Sequence, residues 1–260
     1  MIEPIERADD PRISAYAHVG DHAWLRDNGL FVAEGRFLVR RLLASGRFPI
    51  HSILLTPAAL RSFDAAIDTE AGLFVAEPDI LQQITGFNFH RGCLALAGRP
   101  AEDPSSGRFV DSRLLLAMEG VGNPDNVGGL FRAAAAFGVD GVLLDPTSAD
   151  PFYRKAVRTS MGAVLSVPFE RAARWPSVLD DYRGMDFNVV AMTPHRDAEP
   201  IQDAAARIEG PTIVIVGAEG PGLSDAAMAL ADVKVRIPIA SEMDSLNVVV
   251  AAGIALAMLH

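Results

Sequence analysis

Residues 119–138, EGVGNPDNVGGLFRAAAAFG, leave an apolar run and enter a helical pattern in which Arg132 is the only charge. Asn123-Pro124 makes a turn, Asn126 is a good N-cap and Gly138 supplies a stop, so a helix of about three turns is expected after Asn126. Asn126 on its own is explained as a cap, and Arg132 as a solvated helical arginine. An arginine alone among Gly, Ala, Leu and Phe also suits a semi-buried position that needs an anionic partner. A second stretch, TIVIVGAEGPGLS over residues 212–224, breaks from an apolar strand into a loop with Gly217, Gly220 and Gly222. Glycines this close let a backbone approach a ligand, as phosphate and nucleotide loops do, although a plain glycine-rich turn reads the same way. The spacing is neither GxGxxG nor the GxxxxGK of a P-loop, and Glu219 inside the loop would repel a triphosphate.

A third stretch, VRIPIASEMDSLNVVVAAGIALAML over residues 235–259, reads as a strand, an acidic and polar loop, and an apolar helix that begins near Ser245 with Asp244 or Ser245 as its cap. A helix apolar on nearly every side must be buried in a core or against a partner subunit. Asn247 in its first turn is the anomaly, because a buried amide demands hydrogen-bond partners. A fourth, DPFYRKAVRTSMGA over residues 150–163, puts Arg154 and Arg158 four apart on a helix with Lys155 beside them. Arg36 and Arg40 form a similar pair, with Leu38, Val39 and Leu42 turned toward a core. Both basic pairs are equally consistent with solvated surface charge.

Other chemistries lack their residues. His18 and His22 have the spacing of a metal-ligand pair, but Val19 stands where a zinc hydrolase would have glutamate. Cys93 is the sole cysteine, so an intramolecular disulfide and a Cys-rich zinc site are excluded. There is no GxSxG, no paired carboxylate and no Cys/His nucleophile pattern, which argues against a hydrolase.

The elements that must position these residues fall into two differently written halves of the 260 residues. The first reads as short alternating units: FVAEG as a strand end, RFLVRRLLASG as a helix closed by Gly46, then HSILLT, GLFVAE and CLALAG as strands. Residues 98–113, rich in Pro, Gly, Ser and charge, are the linker. After it come strand runs at 114–118, 141–145, 188–192, 212–217 and 233–237 with helical patterns between them. Near-continuous apolar strands alternating with helices predict a mostly parallel sheet covered on both faces, whose ligand lies beyond the carboxyl ends of its strands.

Taken jointly, the first three stretches resemble the three sequence motifs of the SpoU, or TrmH-like, branch of the SPOUT RNA methyltransferases, in the family's order and close to its spacing. DPFYRKAVRTSMGA also matches that family's Lys-x-x-Arg-x-Ser-x-Gly-Ala stretch. Residues 25–97 more loosely resemble the ribosomal-protein L30e-like domain of many relatives. Ser241 stands where the family usually has glycine, and Val249 where it often has serine.

The resemblance implies an α/β chain with a small N-terminal L30e-like RNA-binding domain (1–97), the linker, and a trefoil-knotted SPOUT methyltransferase domain (114–260). It implies S-adenosylmethionine as cofactor, held by Gly217, Ile237 and Leu246 with Gly220 and Gly222. A sulfonium compound without phosphate tolerates Glu219. It puts Arg132, Asn126, Glu219, Ser245 and Asn247 at a site that methylates a ribose 2′-hydroxyl of structured RNA, ribosomal in preference to transfer RNA. Because a guanidinium holds its proton strongly, Arg132 is expected to clamp a phosphate, with Asn126 orienting it. The alternative is a non-catalytic RNA-binding protein that keeps the fold.

The formal charge of −10 argues against holding RNA by bulk electrostatics. Local patches at Arg36 with Arg40, and at Arg154, Lys155 and Arg158, are then the expected RNA contacts. Of the basic residues only Lys155 and Lys234 are lysines, a ratio that phosphate chemistry and codon bias explain equally well. A homodimer is expected from the apolar C-terminal helix. No apolar run reaches the ~20 residues of a membrane span and the first positions are acidic, so a cytoplasmic protein is the expectation.

Overall fold

The computed structural model describes residues 2–63, 70–86, 91–100 and 109–260. The chain divides into two compact units, Met1–Ala101 with Phe152–Leu165, and Glu102–Pro151 with Ser166–His260.

In the first unit β1 (Ile2–Pro4), β2 (Leu30–Glu34), β3 (Ile50–Leu55), β4 (Gly72–Val75) and β5 (Cys93–Gly98) form a mixed sheet in the order β1-β4-β3-β5-β2. Helices α1 (His22–Asp27), α2 (Arg36–Ser45), α3 (Pro57–Arg61) and α4 (Pro78–Thr85) accompany it. Alternation along β2 fixes its two faces. Val32 joins Ile13, Tyr16, Leu54 and Leu81 in one core, while Phe31 turns to the other side and packs on Phe48 and Phe152 with ring centroids 5.2 and 4.7 Å away. Helix α2 ends where expected, at Gly46 with φ +60°, and buries Leu38, Val39 and Leu42. His18 stacks on Trp24 and His22 faces Tyr153, so these two histidines make separate aromatic contacts.

The second unit holds β6 (Leu114–Glu119), β7 (Gly141–Leu144), β8 (Phe169–Arg171), β9 (Asn188–Met192), β10 (Glu199–Pro200), β11 (Thr212–Gly217) and β12 (Val233–Arg236), every pair parallel, in the order β10-β12-β9-β11-β6-β7-β8. The five strands read from apolar runs are all present within a residue or two. The short edge strands β8 and β10 gave no such run. Helices α5 (Pro124–Ala136), α7 (Val178–Arg183), α8 (Ile201–Ala205), α9 (Asp225–Leu230) and α10 (Val248–Leu259) cover the sheet. Leu115, Ala117, Ile213 and Ile215 face a core shared with Val178, Leu179 and Met228 of α7 and α9. Helix α10 lies against β11, α5 and α8.

The structural division departs from the sequence one in two places. Helix α6 (Arg154–Thr159) and its flanks belong to the first unit, because Phe152 completes the Phe31–Phe48 cluster and Arg41 donates to the Met161 carbonyl at 2.8 Å. Within the expected linker, residues 101–108 lie outside the described residues, and Phe109 is a core residue of the second unit, seated over Gly141.

Gly129 permits the close approach of α10 to α5. A Cβ built there would lie 2.7 Å from Val249 Cγ2. Alanine gains about 1 kcal/mol of helix propensity at such a position, while overpacking costs ~1–3 kcal/mol. Gly129→Ala is therefore expected to be neutral to destabilising alone and stabilising by about 1 kcal/mol in a Val249→Ala background. Urea unfolding of the four proteins of this cycle measures that change of sign.

Candidate functional site

At the carboxyl ends of the adjacent strands β12, β9 and β11 the second unit encloses a cavity of about 640 Å³. Such an edge is where parallel sheets take their ligands. One wall is the loop after β11. Ala218 and Gly222 bridge to each other across it, with the Gly222 N–H donating to the Ala218 carbonyl at 3.0 Å. Folding back so tightly leaves no room at the strand end: a Cβ on Gly217 would sit 2.3 Å from the Gly222 carbonyl carbon. Gly220 and Gly222 take left-handed φ of +88° and +73°, which L side chains resist. These glycines first let the loop close on itself, and in doing so they line the cavity with backbone.

Glu119 holds the far end of that loop. It stands beside Gly217 in the β6–β11 register, and its Oε1 accepts from Trp175 Nε1 and from Ser224 Oγ, both at 2.7 Å. Its Oε2 accepts from the Ser224 N–H at 2.8 Å, and Ser224 in turn caps α9. Ile237, Leu246, Met192 and Val248 add apolar side chains to the lining.

Asn247 ties the three motifs together. Its Oδ1 accepts the Val249 N–H at 2.9 Å, which makes it the N-cap of α10. Its Nδ2 faces Glu219 Oε1 at 3.1 Å and Asn126 Oδ1 at 3.4 Å. The helix therefore starts at Val248, and neither Asp244 nor Ser245 caps it. Asn126 is likewise not a cap. Asn123 accepts the Asp125 N–H, Pro124 takes the first helical position, where its missing donor costs nothing, and Asn126 lies buried in the first turn.

All five residues expected to hold the cofactor, Gly217, Gly220, Gly222, Ile237 and Leu246, line this cavity. Glu219, Ser245 and Asn247 line it as well, and Asn126 joins through Asn247. Arg132 does not. It is exposed on α5, and six residues of helix rotate it about 240° from Asn126. Asn126 thus bonds to Asn247 instead of orienting Arg132. Ser241 is exposed on the cavity rim without a left-handed backbone, so serine fits there unstrained.

The structure adds residues that the sequence did not single out, Glu119 and Ser224 among them although they stand at the ends of the quoted stretches. Glu119, Trp175 and Ser224 shape the loop, and Met192, Thr193 and Arg196 line the cavity from the turn after β9. That turn sits beside β11 in a parallel sheet, which was the available signal, but its Thr-Pro-His-Arg carries no glycine pattern. Of the expected RNA contacts, Arg36 and Lys155 are exposed and Arg154 and Arg158 half-buried. Arg40 is engaged within its own unit: it donates to the Ser62 carbonyl at 2.6 Å and lies over the Phe63 ring.

A sequence profile of the SpoU rRNA Methylase family matches residues 113–257. An uncharacterized tRNA/rRNA methyltransferase of Mycobacterium tuberculosis (strain ATCC 25618 / H37Rv) is 40% identical over 260 residues, covering 95% of this chain and 88% of its own. The crystal structure of an RNA 2′-O ribose methyltransferase is similar over 100% of this chain and 98% of its own, with 28% identity and a TM-score of 0.80. An AdoMet-bound rRNA methyltransferase from Sinorhizobium meliloti shares the fold over 99% of this chain and 97% of its own, with 22% identity and a TM-score of 0.79.

The loop geometry is testable through its two kinds of glycine. Gly217→Ala collides with backbone and is expected to cost about 3 kcal/mol in urea unfolding, the upper end of overpacking. Gly220→Ala meets open space and only backbone strain, at ~1–2 kcal/mol. Equal losses at the two positions would show that the fold-back does not constrain Gly217.

Proposed function

The chain belongs to the SpoU rRNA methylase family, and from that premise we propose that it transfers the methyl group of S-adenosylmethionine to a ribose 2′-hydroxyl of structured RNA, ribosomal in preference to transfer RNA. The observation that carries this reading is the convergence of the expected cofactor residues with Glu219, Ser245 and Asn247 on one cavity. The cavity fits this cofactor by its chemistry. Its lining is largely backbone and aliphatic side chain, and the carboxylates Glu219 and Asp244 share it with Arg196 and Arg236, a balanced set of charges that suits a zwitterionic sulfonium compound. Gly217, Gly220, Gly222, Ile237 and Leu246 would hold the adenosine, largely through backbone groups.

When bound, S-adenosylmethionine supplies an electrophilic methyl group on a sulfonium. The chain's own residues must then present the hydroxyl and manage its proton. A guanidinium is a poor base, so Arg132 serves as the clamp for the phosphate beside the target ribose. Its exposure on α5 suits a partner that arrives from solvent. Glu219 is the carboxylate of the catalytic set and would accept the proton that the ribose hydroxyl gives up. Asn247 fixes that carboxylate through its amide, with Asn126 beneath it and Ser245 at the rim.

Three further elements belong to this reading. The family's trefoil knot is part of this reading, with α10, which packs on α5, α8 and β11, as the helix that would thread it. The first unit, with Arg36, Arg154, Lys155 and Arg158, is the L30e-like RNA reader, to which Arg40 contributes structurally. Homodimerisation is supported by Met243, Val250 and Met258, which are 59%, 50% and 45% exposed on or beside α10. Among the described residues no helix is long and apolar enough to cross a membrane.

Calorimetry with S-adenosylmethionine and a methyl-transfer assay on ribosomal and transfer RNA test this assignment together. Arg132→Ala is expected to abolish transfer and to leave cofactor affinity within about threefold, a change of under ~0.7 kcal/mol, because Arg132 stands outside the cavity. Cofactor binding lost in step with activity would move Arg132 out of the RNA clamp. Wild-type protein that binds the cofactor weakly or not at all and transfers no methyl group would favour a binding module.

A further inference from the structure

Helix α2 buries Leu38, Val39 and Leu42, which leaves Arg36, Phe37 and Arg41 on its exposed face. Residues 37 and 41 are one turn apart, and the Arg41 guanidinium carbon stands 5.7 Å from the centre of the Phe37 ring. Arg41 Nη1 also donates to the Met161 carbonyl at 2.8 Å, and a Cβ built on Gly162 would lie 3.3 Å from Arg41 Cδ, so the turn after α6 is fastened to this face of α2. Phe37 nevertheless stays 52% exposed and Met161 40% exposed. Among the described residues Phe37 is the only aromatic one in the set of large apolar side chains left exposed. Met161 moreover holds φ at +52°, a left-handed conformation that a methionine resists. None of these side chains lines the large cavity.

The charges around the ring are uncompensated. Helix α2 contains no acidic residue, and among the described residues neither Arg36 nor Arg41 is ion-paired. Arg41's one hydrogen-bond partner is a neutral carbonyl, which leaves its charge and four of its five N–H donors uncommitted. Arg36 stands at the first position of α2, where the helix dipole opposes a cation. An exposed ring between two such guanidinium groups matches a ligand that is flat and apolar on its faces and anionic at its ends, which is a nucleotide whose base is free to stack. A duplex keeps its base faces covered and would offer this patch only phosphate. An acidic peptide would satisfy the arginines and leave the ring in water.

We propose that Phe37 is a stacking platform for one unpaired base of the substrate RNA, with Arg36 and Arg41 holding the phosphates on either side of that base and Met161 extending its apolar edge. The proposal deepens the RNA-methyltransferase reading and rests on it for the identity of the polymer. It makes the first unit a reader of an unpaired position, so the preferred RNA carries a loop or bulge for α2 to engage.

The test uses the full chain and three RNA probes, with affinities followed by fluorescence anisotropy across a salt series. The probes are a single-stranded heptamer, its blunt duplex, and an abasic heptamer that keeps the phosphates and lacks the bases. The heptamer is expected to bind more tightly than either of the others. Phe37→Leu keeps apolar bulk without a ring and should weaken the heptamer about fivefold at an unchanged salt slope, leave the abasic probe unaffected, and be rescued by Phe37→Trp. Arg36→Ala and Arg41→Ala should each flatten the log–log salt slope by about 0.7, the single-strand value per phosphate contact, for the heptamer and the abasic probe alike. Met161→Gly relieves the left-handed strain, so it should leave the urea midpoint unchanged or raised while weakening the heptamer, a combination that a purely structural role does not produce. Wild-type heptamer affinity in Phe37→Leu overturns the platform, and so does an equal loss for the heptamer and the abasic probe. Unchanged slopes in both arginine variants overturn the phosphate contacts. An assembly that dissociates in Phe37→Leu while heptamer binding stays intact assigns the patch to a second copy of the chain and overturns its assignment to RNA. Methyl transfer is scored separately: its absence in a wild-type protein that binds the heptamer counts against the activity, whereas normal transfer with unaltered heptamer binding in every variant counts against the platform alone.

Discussion

The side-chain amide of Asn247 is the interaction on which the second unit's site depends. An amide has one acceptor and one donor group, and both are committed here: the oxygen to the Val249 N–H in the first turn of α10, the nitrogen to Glu219 and Asn126. The start of the C-terminal helix, the glycine loop and the first turn of α5 are therefore set by one group. An aspartate would cap the helix equally well and would face Glu219 with a second negative charge. A serine would cap it and reach neither partner. The amide is the side chain that satisfies all three neighbours.

The same economy governs the glycine loop. Its glycines look at first like an invitation to a ligand, but the tightest constraint on them is internal, because at Gly217 the loop's own backbone occupies the space of a side chain. Glu119 and Gly217 face each other across two strands, one closing the loop from its far end and the other from its near end. The loop's own contacts thus hold this wall of the cavity in shape. A pre-formed wall is the arrangement that keeps the ordering cost of binding low.

Much of this was legible because it is written in local patterns. The parallel strands announced themselves as apolar runs, and the site followed from the rule that ligands gather at their carboxyl ends. The helix starts at Asn126 and Ser245 were misplaced for a shared reason. Several good capping residues lie in a row in both loops, and the choice among them is made by tertiary partners: Pro124 favours Asn123 as the cap of α5, and Glu219 with Asn126 selects Asn247 for α10. The assignment of Phe152–Leu165 to the first unit was hidden because the segment lies between two strands of the second unit in sequence, while its apolar residues match Phe31, Phe48 and Leu38. No periodicity reports which of two cores a segment fills.

The arginine-rich, acidic composition also takes on a physical meaning. Arg7, Arg12, Arg174, Arg183 and Arg207 are each paired with carboxylates of their own unit, mostly at exposed positions where such pairs add little stability. Their effect is to cancel charge locally. A polyanion approaching this surface meets paired arginines that offer little net attraction, and screening at physiological ionic strength confines what remains to about 8 Å. Attraction is then concentrated where an exposed cation stands on an otherwise apolar helix, as Arg132 does. An acidic protein can in this way bind an anionic polymer at chosen points, and its discrimination comes from the geometry of those points instead of from a general affinity for phosphate.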